Sequence, residues 1–326
     1  MPGKLRTGVF GATGYTGREL VRLLEHHPEV ELAFTTGSGH GHVPHETGLE
    51  REASAYFLCL PHGVSAVFAA RLRQAYDHAL VVDLSGDLRL PDLDAYRTWY
   101  LQEHPAPALL GHATYGLSEV YRARIAGTRL VSNPGCYATS VLLPLVPLLR
   151  EGLIDSGDIV VDAKSGVTGA GRAPREELLF AEVADDLSAY SPGRAHRHVG
   201  EIEAVLGEAA GATVELTFCP HLLPVRRGIL SALYVRGAAP AAELADALRQ
   251  FYAGSPFVRL VEAPPRLSDV VGTNDCLISV HAASPGRAVL FSALDNLLKG
   301  AAGQAVQNLN LAMGWQEQAG LPVHGT

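Results

Sequence analysis

Charged residues are sparse in this sequence, and a long hydrophobic run is missing. Asp, Glu, Lys and Arg make up 18% of the 326 residues, the formal net charge is −8, and the basic residues form no dense block. This composition argues against non-specific binding to nucleic acid or to an anionic membrane. The longest apolar run, around residues 141–149, is too short to cross a bilayer. We therefore expect no nucleic-acid partner and no membrane, and, because the first residues lead directly into a strand-like segment, a cytoplasmic protein.

Cysteine is also rare. The four thiols, Cys59, Cys136, Cys219 and Cys276, lie far apart in the sequence. Their spacing predicts neither a disulfide framework nor a paired C-x-x-C zinc site, so each is expected to be a free thiol. Three of them are interpreted as small, inert, buried side chains. Cys136 differs because it directly follows an Asn-Pro-Gly turn.

A metal site is not expected either. The stretch GSGHGHVPH at residues 37–45 carries three histidines, and histidine is a common zinc ligand. Its glycines and proline are more typical of a solvated surface loop than of a coordination site.

The chain is longer than one hydrophobic core usually allows, so two domains are expected. Within the first 84 residues, four strand patterns alternate with helical ones, which predicts a mostly parallel, doubly wound sheet. From about residue 157 strand patterns follow one another, and a turn at residues 284–287 joins the last two, which predicts a separate domain with antiparallel strands. Residues 296–313 show a helical pattern that is interrupted by glycines.

A glycine loop lies between the first predicted strand and the first predicted helix. In GATGYTG, Gly11, Gly14 and Gly17 occupy the first, fourth and seventh positions. Glycine lets a backbone turn tightly and approach a pyrophosphate, whose charge is then met by free N–H groups at the helix N-terminus. Thr13 and Thr16 add hydroxyl donors. The alternative is a tight turn between strand and helix that binds no ligand.

The segment after the second strand bears on which dinucleotide this loop would bind. NAD-binding folds commonly carry an acidic residue about 20 residues beyond the loop for the ribose 2′-hydroxyl. Here the sequence reads Thr-Thr-Gly-Ser over residues 35–38. The missing acid favours NADP, although no arginine stands there for the 2′-phosphate.

Cys136 is the candidate nucleophile. In VSNPGCYAT the proline and glycine enforce a bend, and the following residues have a helical pattern. A cysteine at a helix N-terminus is stabilised as the thiolate by the helix dipole. Pro144 and Pro147 would shorten or bend this helix. The alternative is that the thiol only fills a small gap.

A thiol nucleophile needs a group that moves protons. His196 and His198, followed by Glu201, supply two imidazoles and a carboxylate. Their i, i+2 spacing is that of an extended segment, in which only one ring would face the cysteine. The alternative is a surface pair or a metal-binding pair.

Three further clusters place cationic side chains beside glycines or turns, at residues 83–89, 164–172 and 220–228. Such groups suit an anionic substrate. Pairing with acidic surface residues is the alternative for each arginine.

Taken together, these stretches resemble N-acetyl-gamma-glutamyl-phosphate reductases, a family of arginine-biosynthesis enzymes, over almost the whole chain. The resemblance is carried by GATGYTGREL, LPHGVSA, VVDLSGDLRL, YGLSE, SNPGCYAT, SGVTGAGR, HRHVGEI, PHLLPVRRGI and DNLLKGAAGQA. It implies an α/β protein: a Rossmann-like, doubly wound NADP-binding domain plus an α+β catalytic and dimerisation domain. The expected boundaries are residues 1–135 for the first, completed by a C-terminal helix at 296–326, and 136–295 for the second.

The resemblance also implies roles for individual residues. Cys136 is implied as the catalytic nucleophile and either His196 or His198 as the acid/base, with a preference for His196. The residues implied in substrate binding are Arg89, Asn133, Arg172 and Glu201. Those implied in binding NADP are Gly11, Thr13, Gly14, Tyr15, Thr16, Gly17, Ser38, Pro61, His62, Ser165, Gly166 and Asn296.

The implied reaction is NADPH-dependent reduction of a small acyl-phosphate substrate through a cysteine thioester, giving N-acetylglutamate 5-semialdehyde and phosphate. The resemblance further implies a homodimer or homotetramer. Three alternatives remain at this point: the lysine-biosynthesis reductase that acts on a carrier-linked aminoadipyl phosphate, an aspartate-semialdehyde dehydrogenase, and an NADP-binding sensor without catalysis.

Overall fold

The computed structural model describes residues 3–38 and 41–322. The chain divides into two compact units. The first comprises the residues up to Gly135 together with Ala301–Pro322, and the second comprises Cys136–Gly300. His40 and the last four residues of the expected C-terminal segment lie outside the described part. Within the described ranges, no helix is long and apolar enough to cross a membrane.

The first unit contains a six-stranded sheet in which every pair is parallel. The strand order is β2-β1-β3-β4-β6-β5. This confirms the doubly wound sheet expected from the alternating patterns. The strands are β1 (Leu5–Phe10), β2 (Val30–Thr35), β3 (Ala55–Leu58), β4 (Leu80–Asp83), β5 (Thr114–Tyr115) and β6 (Leu130–Ser132).

Five helices follow these strands along the chain. They are α1 (Tyr15–Glu25), α2 (His45–Leu49), α3 (Ser65–Ala75), α4 (Leu93–Tyr100) and α5 (Ser118–Ile125). The helix α1 buries Leu20, Leu23 and Leu24, which the i, i+3, i+4 spacing brings to one face. The helices α2 and α3 pack against each other. An aromatic cluster that includes Phe10, Phe34 and Tyr56 lies in the core of this unit.

The second unit contains a seven-stranded mixed sheet with the order β11-β12-β13-β10-β7-β9-β8. Most pairs are antiparallel, as expected, but β7 with β9 and β11 with β12 are parallel. Periodicity could not reveal these two pairs, because strand direction depends on the path of the connection. The strands are β7 (Ile159–Gly166), β8 (Ser188–Ala189), β9 (Leu216–Leu223), β10 (Ile229–Arg236), β11 (Val258–Leu260), β12 (Cys276–Ser284) and β13 (Arg287–Leu294).

The helices of this unit are α6 (Cys136–Arg150), α7 (Phe180–Val183), α8 (His198–Ala210) and α9 (Ala241–Phe251). The helix α6 is mostly apolar, is buried from Tyr137 to Leu149, and packs against α8, α9, β10 and β13. The helix spans 15 residues with both prolines inside it, so they do not shorten it, which was one of the two effects expected. Pro147 has no N–H to offer the carbonyl of Leu143, and the hydroxyl of Tyr252 donates to that carbonyl instead at 2.5 Å.

The chain returns to the first unit in α10 (Gly303–Met313), which packs against α1, α5 and β4. The pattern predicted a helix over 296–313, but a π-helical turn, Leu298–Ala302, precedes α10. The helix α10 buries polar side chains that bind the first unit. Among them, Asn308 donates to the Gly116 carbonyl at 2.8 Å and to Asn133 Oδ1 at 3.0 Å.

One set of side chains on the central strands β7, β10 and β13 is incompletely buried. Val160, Tyr234 and Val289 lie opposite one another across the three strands. Tyr234 is 45% exposed, and the two valines are half-buried. A sheet face of this kind, partly apolar and partly accessible, is typical of surfaces that pack against another protein.

Candidate active site

The strand order of the first unit points to a candidate site at the edge of the sheet where its strands end. The chain leaves β1 toward β2 on one side and continues to β3 on the other, so the order reverses between β1 and β3. In open parallel sheets, ligands bind outside the carboxyl ends of the strands at such a reversal. The glycine loop follows β1, and Pro61 and His62 follow β3. The glycine loop, Pro61 and His62, all predicted to bind the cofactor, are therefore brought to the same sheet edge by topology alone.

The glycine loop has no room for side chains at two positions. Gly11 has φ +80°, and a Cβ there would lie 2.2 Å from the Cys59 carbonyl oxygen. A Cβ on Gly17 would lie 2.2 Å from the carbonyl oxygen of Gly11. Gly14 is the N-cap residue of α1, and no side chain caps this helix. The first-turn N–H groups are thus available to an anion, and the backbone can come close to it.

The other residues of this unit that were predicted to bind the cofactor lie in the glycine loop, in the first turn of α1 and after β2. Tyr15 begins α1 and is 37% exposed. Thr16 lies in the first turn of α1. Thr13 lies beside Gly37: a Cβ built on Gly37 would lie 2.8 Å from the methyl carbon of Thr13. Ser38 is exposed, three residues after β2 ends.

The histidine-rich stretch after β2 is not the fully solvated loop that the sequence predicted. His45 begins α2, and its ring stacks on Phe10 at a centroid distance of 6.5 Å. Its Nδ1 lies 2.5 Å from Thr36 Oγ1. Burial lowers the pKa of His45. Among the described residues, no group of three His, Cys, Asp or Glu side chains is arranged to hold a metal ion.

His62 is held in place by a buried carboxylate and by aromatic rings. Its Nδ1 lies 2.5 Å from Asp87 Oδ1, and its ring stacks on Tyr100 at 4.1 Å. Burial opposes ionisation of Asp87, but bonds from His62 and from the backbone N–H groups of Gly63 and Ala66 outweigh it and lower the pKa of Asp87. Pro61 is exposed next to this histidine.

Arg89 and Asn133 meet at the same edge of the sheet, beyond the ends of β4 and β6. The Arg89 guanidinium donates to the carbonyls of Asn133 and Leu84, each at 2.9 Å. Asn133 is almost fully buried, and its side chain donates to the Ala301 carbonyl at 3.2 Å. Both residues fix the short Asn-Pro-Gly segment that leads in the chain to Cys136. The Asn133 amide is thereby occupied by contacts within the protein.

In the second unit, Cys136 is the first residue of α6, as the sequence predicted. The next residue, Tyr137, is the centre of a ring cluster. The Tyr137 ring lies 5.6 Å from His196, 6.1 Å from His198 and 5.4 Å from Phe218, each edge to face. The two imidazoles are 4.8 Å apart. The fold thus gathers both predicted histidines around the residue adjacent to Cys136.

This arrangement corrects the expected geometry of the two histidines. They do not lie in an extended segment, because His198 begins α8. Glu201 is buried in the first turn of that helix. Both imidazoles can therefore contact Tyr137, where an extended segment would have pointed them to opposite sides.

His196 is a neutral ring with a defined tautomer. The backbone N–H of His198 donates to His196 Nδ1 at 3.2 Å. Since Nδ1 accepts a hydrogen bond, the ring proton belongs on Nε2. Burial, with a smaller contribution from the Arg197 charge, lowers the pKa of His196 to about 4. At neutral pH His196 therefore presents an N–H donor.

Two tyrosines complete this cluster, and neither was predicted from the sequence. Tyr190 donates to the Tyr137 hydroxyl at 3.2 Å, and Tyr137 donates to the His221 carbonyl at 3.2 Å. Burial raises the pKa of Tyr137 and raises that of Tyr190 to about 12. Both phenols are therefore neutral donors. No local signal could link residues 53 positions apart, although Tyr137 is adjacent to the predicted nucleophile.

The other residues predicted for this unit lie at the end of β7, on the loop that follows it, and just beyond the end of β13. Ser165 and Gly166 end β7, and Ser165 is buried. The Asn296 amide is bonded at both ends: its oxygen accepts from Gly228 N–H at 2.7 Å and its nitrogen donates to Thr168 Oγ1 at 3.0 Å. Arg172 is exposed on the loop that follows β7.

Comparison with known proteins decides the family. A protein from Acidithiobacillus ferrooxidans with the name N-acetyl-gamma-glutamyl-phosphate reductase is 44% identical to this chain over 97% of this chain and 98% of its own length. A rice protein described as a probable chloroplastic N-acetyl-gamma-glutamyl-phosphate reductase is 43% identical over 98% of this chain and 81% of its own length. This chain belongs to the N-acetyl-gamma-glutamyl-phosphate reductase family. It is accordingly an oxidoreductase.

The units of this reductase also match two domain families. Residues 6–128 match the NAD binding domain of semialdehyde dehydrogenases, and residues 136–296 match their dimerisation domain. Aspartate semialdehyde dehydrogenase II from Vibrio cholerae has a similar structure, with a TM-score of 0.71 at 19% identity, covering 94% of this chain and 98% of that one. The Rossmann-like fold class is thereby confirmed, and the reductase has a domain of a nicotinamide-cofactor-binding family.

The first prediction concerns the charge of His196. The ring stays neutral in the folded protein until about pH 4, whereas in the unfolded chain it takes up a proton near pH 6.5. Unfolding therefore binds a proton in this window, and the His196 contribution to the free energy of unfolding falls by about 2 kcal/mol between pH 7 and pH 4.5. Urea unfolding at several pH values should show a flatter pH dependence for His196→Gln than for the wild type.

The matched control is His112→Gln, which removes an exposed imidazole. The change in slope caused by His196→Gln should exceed that caused by His112→Gln. Equal changes would contradict a neutral, buried His196.

Proposed function

We propose that this protein catalyses the NADPH-dependent reduction of N-acetyl-gamma-glutamyl phosphate to N-acetylglutamate 5-semialdehyde and phosphate, a step of arginine biosynthesis. One observation carries the proposal: Cys136 begins a helix directly beside a cluster of two imidazoles, in a chain that aligns with reductases of this name almost end to end. Nothing in the second unit favours a sensor without catalysis, because a sensor needs no histidines gathered beside a thiol.

The cofactor site is proposed at the glycine loop. Uncapped N–H groups at the start of α1 and the crowding at Gly11 and Gly17 suit a pyrophosphate. NADP is proposed over NAD because Ser38, rather than an acid, stands near the end of β2. An aspartate semialdehyde dehydrogenase from Candida albicans, solved with NADP, has a similar fold, with a TM-score of 0.65 at 16% identity, covering 94% of this chain and 98% of that one. A bound nicotinamide cofactor would supply the hydride that reduces the substrate carbonyl carbon.

The proposed nucleophile is the Cys136 thiolate, which the N-terminus of α6 stabilises. Its sulfur forms a bond to the acyl carbon as the bond between that carbon and the phosphate oxygen breaks. Inorganic phosphate leaves, and a thioester remains on Cys136. After hydride addition, the carbonyl re-forms as the C–S bond breaks, which releases the aldehyde and restores the thiolate. Covalent catalysis divides one difficult reduction into easier steps.

The two histidines are proposed to have different roles, and the geometry supports the reverse of the preference drawn from sequence. His196 has a pKa of about 4 and a proton on Nε2. Such a ring is a poor acceptor for a thiol proton but a good hydrogen-bond donor to the oxygen that gains charge in the tetrahedral intermediates. His198 is then proposed as the acid/base that manages the proton around Cys136.

Of the four residues implied in substrate binding, Arg172 and Glu201 are proposed to have that role. Arg172 is supported by its exposed position on the loop after β7. For Arg89 and Asn133, the contacts support a different use: both hold the backbone that leads to Cys136. A substrate carboxylate or phosphate would have to share Arg89 with two carbonyl oxygens.

The activity test uses the reverse reaction. Phosphate-dependent reduction of NADP⁺ by N-acetylglutamate semialdehyde should be measurable for the wild type and fall at least 10³-fold, on the order expected for loss of a nucleophile, in Cys136→Ser. The serine hydroxyl is far less ionised near neutral pH than a thiol. NADPH binding, measured by fluorescence, should persist in the variant, and NAD⁺ should support a lower rate than NADP⁺.

Cys219→Ser is the control for loss of a thiol elsewhere in the same unit and should retain activity. Aminoadipate semialdehyde, assayed in parallel, should react more slowly. A preference for that longer substrate would assign the protein to lysine biosynthesis, and full activity of Cys136→Ser would refute the nucleophile.

The two histidines are separated by single variants. His198→Asn should lower kcat by about 10²- to 10⁴-fold, the usual range for loss of a general acid/base. His196→Asn should lower kcat less, because it removes one donor and no proton carrier. The pH profile of kcat/KM should lose one of its two limbs in His198→Asn and keep both in His196→Asn. Loss of a limb in His196→Asn alone would mean that the two roles are reversed.

We also propose that the protein is a homodimer or a homotetramer. The match of the second unit to a dimerisation domain and the half-exposed face at Val160, Tyr234 and Val289 support a second copy as the occupant of that face. Light scattering on the wild type should give at least twice the chain mass of 34.6 kDa. Tyr234→Glu should lower the measured mass toward that of the monomer. Val67→Glu, at a similarly exposed apolar residue of α3, should leave the mass unchanged. A monomeric wild type would contradict the proposal.

A further inference from the structure

The π-helical turn Leu298–Ala302 packs directly on the start of α6. An ideal Cβ built on Gly300 would lie 2.8 Å from Cys136 Cβ and 3.2 Å from Cys136 Cα. Real Cβ atoms essentially never approach another atom to less than 3.0 Å. The backbone of the turn and the candidate nucleophile are therefore in contact only because residue 300 has no side chain.

The hydrogen bonding of the turn explains why Gly300 reaches this place. The Gly300 N–H donates to the carbonyl of Asp295, five residues earlier, at 2.9 Å. An i to i+5 bond defines a wider turn than an α-helix has, and such turns occur frequently at functional sites. Gly300 lies in this wider turn, and its backbone is the part of the turn that lies against Cys136.

Asp295 anchors the turn to the rest of the second unit. Its carboxylate is fully buried. Oδ1 accepts from the backbone N–H of Leu297 at 2.8 Å and from the Arg227 guanidinium at 2.9 Å. Oδ2 accepts from Gly272 N–H at 2.9 Å. One carboxylate thus joins the start of the turn to two other loops. Removing one partner of a buried, hydrogen-bonded ion pair is strongly destabilising, so a change at Asp295 should affect all three segments.

From this geometry we propose that Gly300 and Asp295 are positioning residues for the nucleophile: the turn they form fixes where the Cys136 thiol stands. The proposal rests on the proposed role of Cys136 as the nucleophile. It concerns the position and accessibility of the thiol, so its consequences can be measured without substrate or cofactor. Neither residue is proposed to touch the reacting atoms.

The test is Gly300→Ala. The added methyl group must displace Cys136 or the turn, because the nearest atom is Cys136 Cβ, which is tied to the backbone and cannot yield as the end of a flexible side chain could. The rate of Cys136 alkylation by iodoacetamide, followed at several pH values by mass spectrometry of the Cys136 peptide, should change at least about fivefold. A displacement near 1 Å should also lower kcat about 10²-fold, while the KM for the cofactor stays within twofold.

Gly237→Ala is the matched control. A Cβ there would lie 2.4 Å from the Leu153 carbonyl oxygen, so the position is at least as crowded as Gly300, and it belongs to the same unit. This variant should lose stability without changing the Cys136 alkylation rate. Equal changes in both variants would overturn the proposal, because they would reflect general damage to the unit.

Asp295→Asn tests the same positioning role if Gly300→Ala does not fold. It keeps the shape of the side chain but places an amide where N–H donors converge, so the Cys136 alkylation rate should again change, with a drop in kcat and little change in cofactor KM. An unchanged alkylation rate in the folded variant would refute the positioning role. Failure of the nucleophile assignment is distinguishable, because Cys136→Ser would then remain active whatever Gly300 and Asp295 do to thiol reactivity.

Discussion

Close approach of two backbones, with no side chain between them, is the constraint on which both functional regions depend. In the first unit, Gly11 and Gly17 bring the end of β1, the start of α1 and the chain after β3 within van der Waals contact. In the second unit, Gly300 brings a π-helical turn against Cys136. A side chain at any of these positions would separate backbone groups that must act together. The two regions are built differently, but each lies at the N-terminus of a helix, the end whose dipole favours negative charge.

Buried polar side chains then hold these close approaches in place. The Asp87 carboxylate binds His62 and two backbone N–H groups. The Asp295 carboxylate binds Arg227 and three backbone N–H groups. Asn133 is bonded on both sides of its amide. A buried carboxylate or amide is costly unless each lone pair and proton has a partner. Because their partners offset the free-energy cost of burial, these groups can hold the loops they join in fixed positions.

The sequence was sufficient wherever a local pattern carried the information. The glycine loop and the start of a helix at Cys136 follow from short stretches of sequence, and the parallel sheet follows from a succession of such local strand and helix patterns. The extended reading of the two histidines was wrong, although Glu201 in the first helical turn was a signal for the start of α8. The contacts of Tyr137 with Tyr190, of Arg227 with Asp295 and of Gly300 with Cys136 had no such signal. They join residues more than 50 positions apart, and only the fold brings them together.

The start of α8 shows how a structural need can set a chemical role. The first N–H groups of any helix lack intrahelical partners, and here the one at His198 is satisfied by the Nδ1 lone pair of His196. A ring used in this way cannot also accept a proton at Nδ1 without breaking that bond, so it stays neutral and keeps its proton on Nε2. Burial among Tyr137, Tyr190 and Phe218 acts in the same direction by disfavouring the charged ring. The two histidines are therefore not interchangeable, since the backbone bond that begins the helix at one of them determines which protonation state the other can hold.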